Sequence, residues 1–304
     1  MECIIKNYPK DIEINIQYKK LTNDIKEELK TEFEQLYFIH SELEQLLKSK
    51  RYCIYNYDNI TLQFLVINNI NNDVMYNLMK RIYTIVKIYN ISYPINIWFI
   101  PTNTKRQFPK NGEMVDRVNI NGGYTYLNKH TIYVYRYEDF EKVILHEILH
   151  NSELQVPWSS KCLKELCNLF TISYYSEFDP TEAFIEMWAL YYHIMFIAYE
   201  TGSNFECLIN KDIEWNMYLA NKLLKYKDKY FKNGWIERTN SFSYIILKTI
   251  FLCNWKNFLR LKEPYTDKQL NRFIKRNYKG VFEKIETCKN FKTNSFCISF
   301  YGNK

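Results

Sequence analysis

Val143-Ile144-Leu145-His146-Glu147-Ile148-Leu149-His150 is the stretch on which the reading of this 304-residue chain turns. Its aliphatic residues, Val143, Ile144, Leu145, Ile148 and Leu149, predict a largely buried helix. Residues four apart share a helical face, so His146 and His150 can both reach one tetrahedral metal ion. Glu147, beside the first histidine, points toward the open position of such an ion, where it can take a proton from metal-bound water. The competing reading, two surface histidines on an amphipathic helix, conflicts with the apolar neighbours, among which unpaired imidazoles are costly.

A catalytic metal needs a third protein ligand. The residues after His150, Asn151-Ser152-Glu153-Leu154-Gln155-Val156, lack the glycine and histidine of the metzincin continuation. Further on, Asp179-Pro180-Thr181-Glu182-Ala183-Phe184-Ile185-Glu186 predicts a helix with two glutamates four apart, both on one face. Glu182 has a second explanation: Asp179 as N-cap, Pro180 at N1 and Glu182 at N3 spell a capping box. Glu186 would then be the candidate ligand, but the position four residues beyond it is Leu190 and leaves no acid to support it.

HExxH followed by ExxxE resembles the gluzincin peptidases, in which a downstream helix carries a ligand glutamate and, four residues on, an acidic residue that orients a ligand imidazole. The resemblance implies a Zn2+ ion held by His146, His150 and Glu182, with Glu186 in the supporting position. It implies Glu147 as general base and hydrolysis of a peptide bond in a polypeptide substrate. Thr181-Glu182-Ala183-Phe184-Ile185-Glu186 looks like the corresponding helix of lethal-factor-type toxin peptidases, and the chain looks like peptidase-like proteins of AT-rich large DNA viruses. The likeness covers residues 93–199. In lethal-factor-type enzymes a tyrosine lies shortly before the ligand glutamate, which makes Tyr175 the expected donor to the oxyanion, ahead of Tyr191 or Tyr192. Gly122, Gly123 and Tyr124 precede the metal helix where zincins place the sheet edge that binds substrate backbone. Paired glycines would let another chain approach closely, although an ordinary bulged edge strand reads the same way.

Composition narrows the function classes. The chain is 47% hydrophobic and 25% charged, ordinary for a globular protein, while 27 Tyr against 7 Gly and 7 Pro fits an AT-rich genome. The longest apolar stretch, Met187–Tyr199, is interrupted by His193 and is too short to span a bilayer. The charged N-terminus does not read as a secretory signal, so an intracellular, cytoplasmic protein is expected, in the host cytoplasm or the virion if viral. Eight scattered cysteines without CxxC pairs predict reduced thiols, with Cys162 and Cys167 in the core. The net charge of +7 is dispersed, and nucleic acid is not an expected partner. His40 is expected as a hydrogen-bonded core histidine, and His193 as a core or cleft-wall residue.

Periodicity predicts an α+β fold: a zincin-like mixed sheet with the active-site helix, followed by a mainly helical C-terminal lobe. Strands are expected at Ile12–Tyr18, in a hairpin of Tyr52–Tyr57 and Ile60–Ile67, at Ile95–Ile100, and at Val118–Tyr126 and Thr131–Tyr135 joined through Asn128-Lys129. Helices are expected on the stripe from Ile25 to Leu47, on Val74–Tyr89, and at Glu138–Asn151, Ser160–Ile172, Pro180–Tyr199, Ile213–Tyr226 and Ser241–Leu259. The expected organisation is an N-terminal α/β region over 1–90, a catalytic core over 91–200 and a helical region over 201–304, with soft boundaries. A rival class is a non-catalytic virion or interaction protein on the same scaffold, against which Glu147 argues because a purely structural site needs no base.

Overall fold

Every strand lies in one six-stranded mixed sheet of order β1-β2-β3-β4-β6-β5, as the computed structural model shows over its described residues, 6–65, 71–126, 130–152 and 154–303. Contacts group Met1–Lys105 with Gly122–Glu153 in one unit, which holds the sheet, and Arg106–Asn121 with Leu154–Lys304 in a second, mainly helical one.

In the first unit, β1 (Asn15–Lys20) pairs antiparallel with β2 (Arg51–Tyr57), and β2 with β3 (Ile60–Leu65). Asp58 takes a positive φ of 52° in the hairpin turn, a conformation that Asp and Asn tolerate best after glycine. Residues 66 and 67 of the expected strand lie outside the described residues. A parallel neighbour needs a crossover, and the helix Asn72–Ile88 supplies it between β3 and β4 (Ile95–Thr102). Ile97, Phe99 and Ile100 are fully buried, as a central strand covered on both faces requires.

Three expectations are corrected here. The first strand starts at Asn15, not Ile12, and is no half-buried ribbon: Ile16 and Tyr18 are 45% and 60% exposed, because β1 is a sheet edge. The helix read from Ile25 to Leu47 is two, α1 (Asn23–Glu32) and α2 (His40–Leu46), joined by a 3-10 turn at Tyr37–Ile39. The apolar stripe survives the break, since Leu29, Phe33, Leu36, Ile39, Leu43 and Leu47 are all buried in one cluster with Tyr133 and Tyr135. His40 Nε2 meets the carbonyl oxygens of Phe33 and Glu34 at 3.2 and 2.9 Å, so its ring serves the frayed end of α1.

Val118–Tyr126 is the third. With the Asn72–Ile88 helix as α3, the next helical element is a turn, α4 (Arg117–Ile120), closed by a capping box between Asp116 and Asn119. Only β5 (Gly123–Tyr126) is strand; it pairs antiparallel with β6 (Thr131–Arg136), which runs parallel to β4. The Asn128-Lys129 turn lies outside the described residues. Helix α5 (Phe140–His150) follows β6 and packs on α3, β5 and β6.

The second unit is built from α6 (Ser160–Phe170), α7 (Pro180–Thr201), α8 (Phe205–Tyr230), α9 (residues 241–253), α10 (Trp255–Phe258) and α11 (Asp267–Glu286). The middle of α9, Ser243–Leu247, is a π-helical turn. Helix α11 was not anticipated, although Thr266 caps it and Leu270, Phe273, Ile274, Val281 and Ile285 form its buried stripe. Among the described residues no helix is long and apolar enough to cross a membrane.

Candidate metal centre

The HExxH segment forms the last five residues of α5, a helix anchored at both ends. At the start, Asp139 takes a left-handed φ of 63°, and its carboxylate lies 3.3 Å from Lys142 Nζ, both groups buried. Glu141 is tied to Arg81 of α3 by an ion pair of 2.5 Å. At the end, the Asn151 side-chain amide donates to Glu147 O and to Thr125 Oγ1 of β5, each at 3.0 Å, while the Tyr93 hydroxyl donates to Asn151 O. The last turn therefore has a fixed position against the sheet although no glycine closes it.

His146 and Glu147 are buried and His150 is half-buried, with the two Nε2 atoms 2.9 Å apart. Two nitrogens bound to one tetrahedral zinc at about 2.05 Å would stand about 3.3 Å apart, so the pair must open by less than about half an ångström to share an ion. At 2.9 Å one ring nitrogen can also donate a hydrogen bond to the other, so the two imidazoles face each other directly.

The spacing of α5 from the sheet depends on Gly123. A Cβ there would come within 2.8 Å of Tyr133 O and 2.9 Å of Val143 Cγ1. The chain that approaches this glycine is its own α5, a use the sequence did not reveal. Gly122 accepts a hydrogen bond from Tyr135 N at 3.0 Å, and β5 is the terminal strand of the sheet. Tyr124 turns its ring into the core beside Phe33 and Tyr133 and donates its hydroxyl to Glu32 Oε1 at 2.8 Å. Burial, reinforced by the Glu32 carboxylate, raises its pKa. Any contact of Tyr124 with a substrate would thus be through its backbone.

In α7, Asp179 is the N-cap, its carboxylate accepting from Thr181 N at 2.8 Å, and Pro180 opens the helix. The reciprocal half of a capping box is not made by Glu182. Asp179 N donates instead to Asn240 Oδ1 at 2.8 Å, and Glu182 Oε2 accepts the Tyr244 hydroxyl at 3.0 Å. One turn on, Glu186 is 1% exposed and its Oε1 lies 3.4 Å from Lys248 Nζ, which also donates to Ile298 O at 2.7 Å. The two glutamates share one face of α7, as the spacing predicts, and each meets a residue of α9. Tyr244 and Lys248 are the residues that sequence reading missed, for they lie 62 positions from their partners and carry no motif.

Tyr175 stands on the loop between α6 and α7 and is 91% exposed. Tyr191 and Tyr192 are buried beside Trp188, Tyr192 stacked on its indole, and burial raises the Tyr191 pKa. His193 is buried in α7, about 16 Å along the axis from Glu182. The seven described cysteines are all free thiols, Cys162 buried and Cys167 half-buried.

No protein-family model matches the chain, and neither curated proteins nor solved structures show a significant match to it.

Proposed function

We propose that the protein is a zinc-dependent peptidase of the zincin class in which His146, His150 and Glu182 hold one Zn2+ ion. The observation that carries the reading is the pair of imidazole nitrogens facing each other at 2.9 Å on a buried helix with Glu147 between them in sequence. A second support is that Glu182 meets Tyr244 and does not close the capping box of α7, whose Asp179 N donates to Asn240 instead. Two neutral nitrogens and one carboxylate form a donor set typical of catalytic zinc with an open fourth position.

Bound there, zinc supplies Lewis acidity for the scissile carbonyl and lowers the pKa of the attacking water. The Glu147 carboxylate accepts the proton released as that water attacks the carbonyl carbon. It then delivers the same proton to the amine nitrogen as the C–N bond breaks. Glu186 orients the ligand set, and Tyr175, in solvent on its loop, is the phenol assigned to the oxyanion. The β5 edge is the proposed rail for substrate backbone, with Gly122 at its entrance. The working compartment is proposed to be the cytoplasm, in keeping with the free thiols.

The test is digestion of a peptide library by the parent chain and by Glu147→Gln. Cleavage by the parent should drop at least about a hundredfold in the variant, while bound zinc is retained, because only proton transfer is impaired. A variant as active as its parent removes Glu147 from the mechanism, and a parent inert on a broad library favours the non-catalytic scaffold. In the same assay a Tyr175→Phe chain with the parental rate removes the phenol.

A further inference from the structure

Helices α7 and α9 meet through a run of three polar contacts in the same order along both. Asn240 Oδ1 accepts from Asp179 N at 2.8 Å, the Tyr244 hydroxyl donates to Glu182 Oε2 at 3.0 Å, and Lys248 Nζ lies 3.4 Å from Glu186 Oε1. Residues 240, 244 and 248 thus meet 179, 182 and 186 in the same order, so the two helices run parallel with one polar seam between them. The seam runs from the surface inward: the Asp179–Asn240 contact is exposed, Tyr244–Glu182 is half-buried and Lys248–Glu186 is buried, while Phe184, Ile185, Ala189, Ile245, Leu247 and Ile250 of the two helices are fully buried. At the buried end an unmade polar contact is costly, which holds Lys248 and Glu186 together. The α9 stretch between the two outer contacts is the π turn Ser243–Leu247, a widened turn of the kind that recurs at functional sites.

Resting on the metal reading above, we propose that α9 is the positioning helix of the centre, with Tyr244 determining which oxygen of Glu182 is offered to zinc. A phenol on Oε2 favours coordination through Oε1 alone, because an oxygen already accepting a strong hydrogen bond is the poorer metal donor. Lys248 balances the buried charge of Glu186 one turn further along and holds α7 in register with α9. Tyr244 is a positioning residue: it acts through Glu182.

Tyr244→Phe removes one hydroxyl and keeps the ring, so the full chain should fold. Zinc affinity is measured by competition with a chelator, and coordination by the visible absorption of the Co2+-substituted protein. The variant should bind zinc roughly ten- to a hundredfold more weakly, the usual scale for such partners. Its Co2+ band should lose intensity as Glu182 becomes free to bind through both oxygens. In a Glu182→Ala background the same substitution should cause no further loss of affinity. Unchanged affinity and spectrum in Tyr244→Phe, or an equal loss without Glu182, overturns the positioning role and leaves the zinc reading intact. A parent that takes up neither metal overturns the zinc reading itself and this inference with it.

Discussion

Tyr244 and Lys248 meet Glu182 and Glu186 at 3.0 and 3.4 Å, and both pairs depend on how α7 lies against α9. His146, Glu147 and His150 lie within five positions, and helical geometry alone places them on adjoining faces. Tyr244 and Lys248 meet their glutamates only through the packing of α7 on α9, and no local pattern encodes that. Lys248 is the sharper case. With both charges at 1% exposure or less, removing the cation takes the ion-pair partner from a buried carboxylate. Lys248→Met should therefore destabilise the fold by about 3–5 kcal/mol in urea unfolding. The double variant Lys248→Met, Glu186→Gln should recover much of that loss. A single variant within about 0.5 kcal/mol of the parent would show that the pair carries no such penalty.

Legibility at the element scale follows the same division between local and non-local causes. Helix α5 could be read because its apolar residues and its motif agree. The break between α1 and α2 could not, because the buried stripe from Leu29 to Leu47 stays in phase across it. Residues 117–120 alternate like a strand, yet the reciprocal bonds of Asp116 and Asn119 win over that alternation. The joint of α5 with the sheet rests on Gly123: Gly123→Ala would drive a methyl into a backbone oxygen and a valine, and should cost about 1–3 kcal/mol by thermal or urea unfolding. Parental stability in that variant would mean that α5 does not need the close approach. The start of α9 carries a pH dependence. Glu237, 1% exposed, accepts hydrogen bonds from Ser241 Oγ and from Phe242 N at 3.1 and 3.2 Å, but burial outweighs them and pushes its pKa from 4.5 up to about 8. Between those pH values the folded chain holds a proton that the unfolded chain has lost. Its contribution is thus complete below about pH 4.5 and fades as pH rises to about 8, by up to roughly 5 kcal/mol. Glu237→Gln should flatten this part of the stability curve between pH 5 and pH 8, and identical slopes in parent and variant would contradict it.

For the whole molecule, the mixed α+β class and the helical second half were readable from periodicity, whereas α11 escaped notice among its many lysines and arginines. The division of contacts into a sheet unit and a helical unit could not be read from composition, since the 106–121 segment joins the second unit from within the first. Purified from a neutral, chelator-free buffer, the full chain should carry about one zinc by elemental analysis, and His146→Ala, His150→Ala and Glu182→Ala should each lose most of it. A parent chain with no stoichiometric metal, and none gained on incubation with zinc, would contradict the central claim.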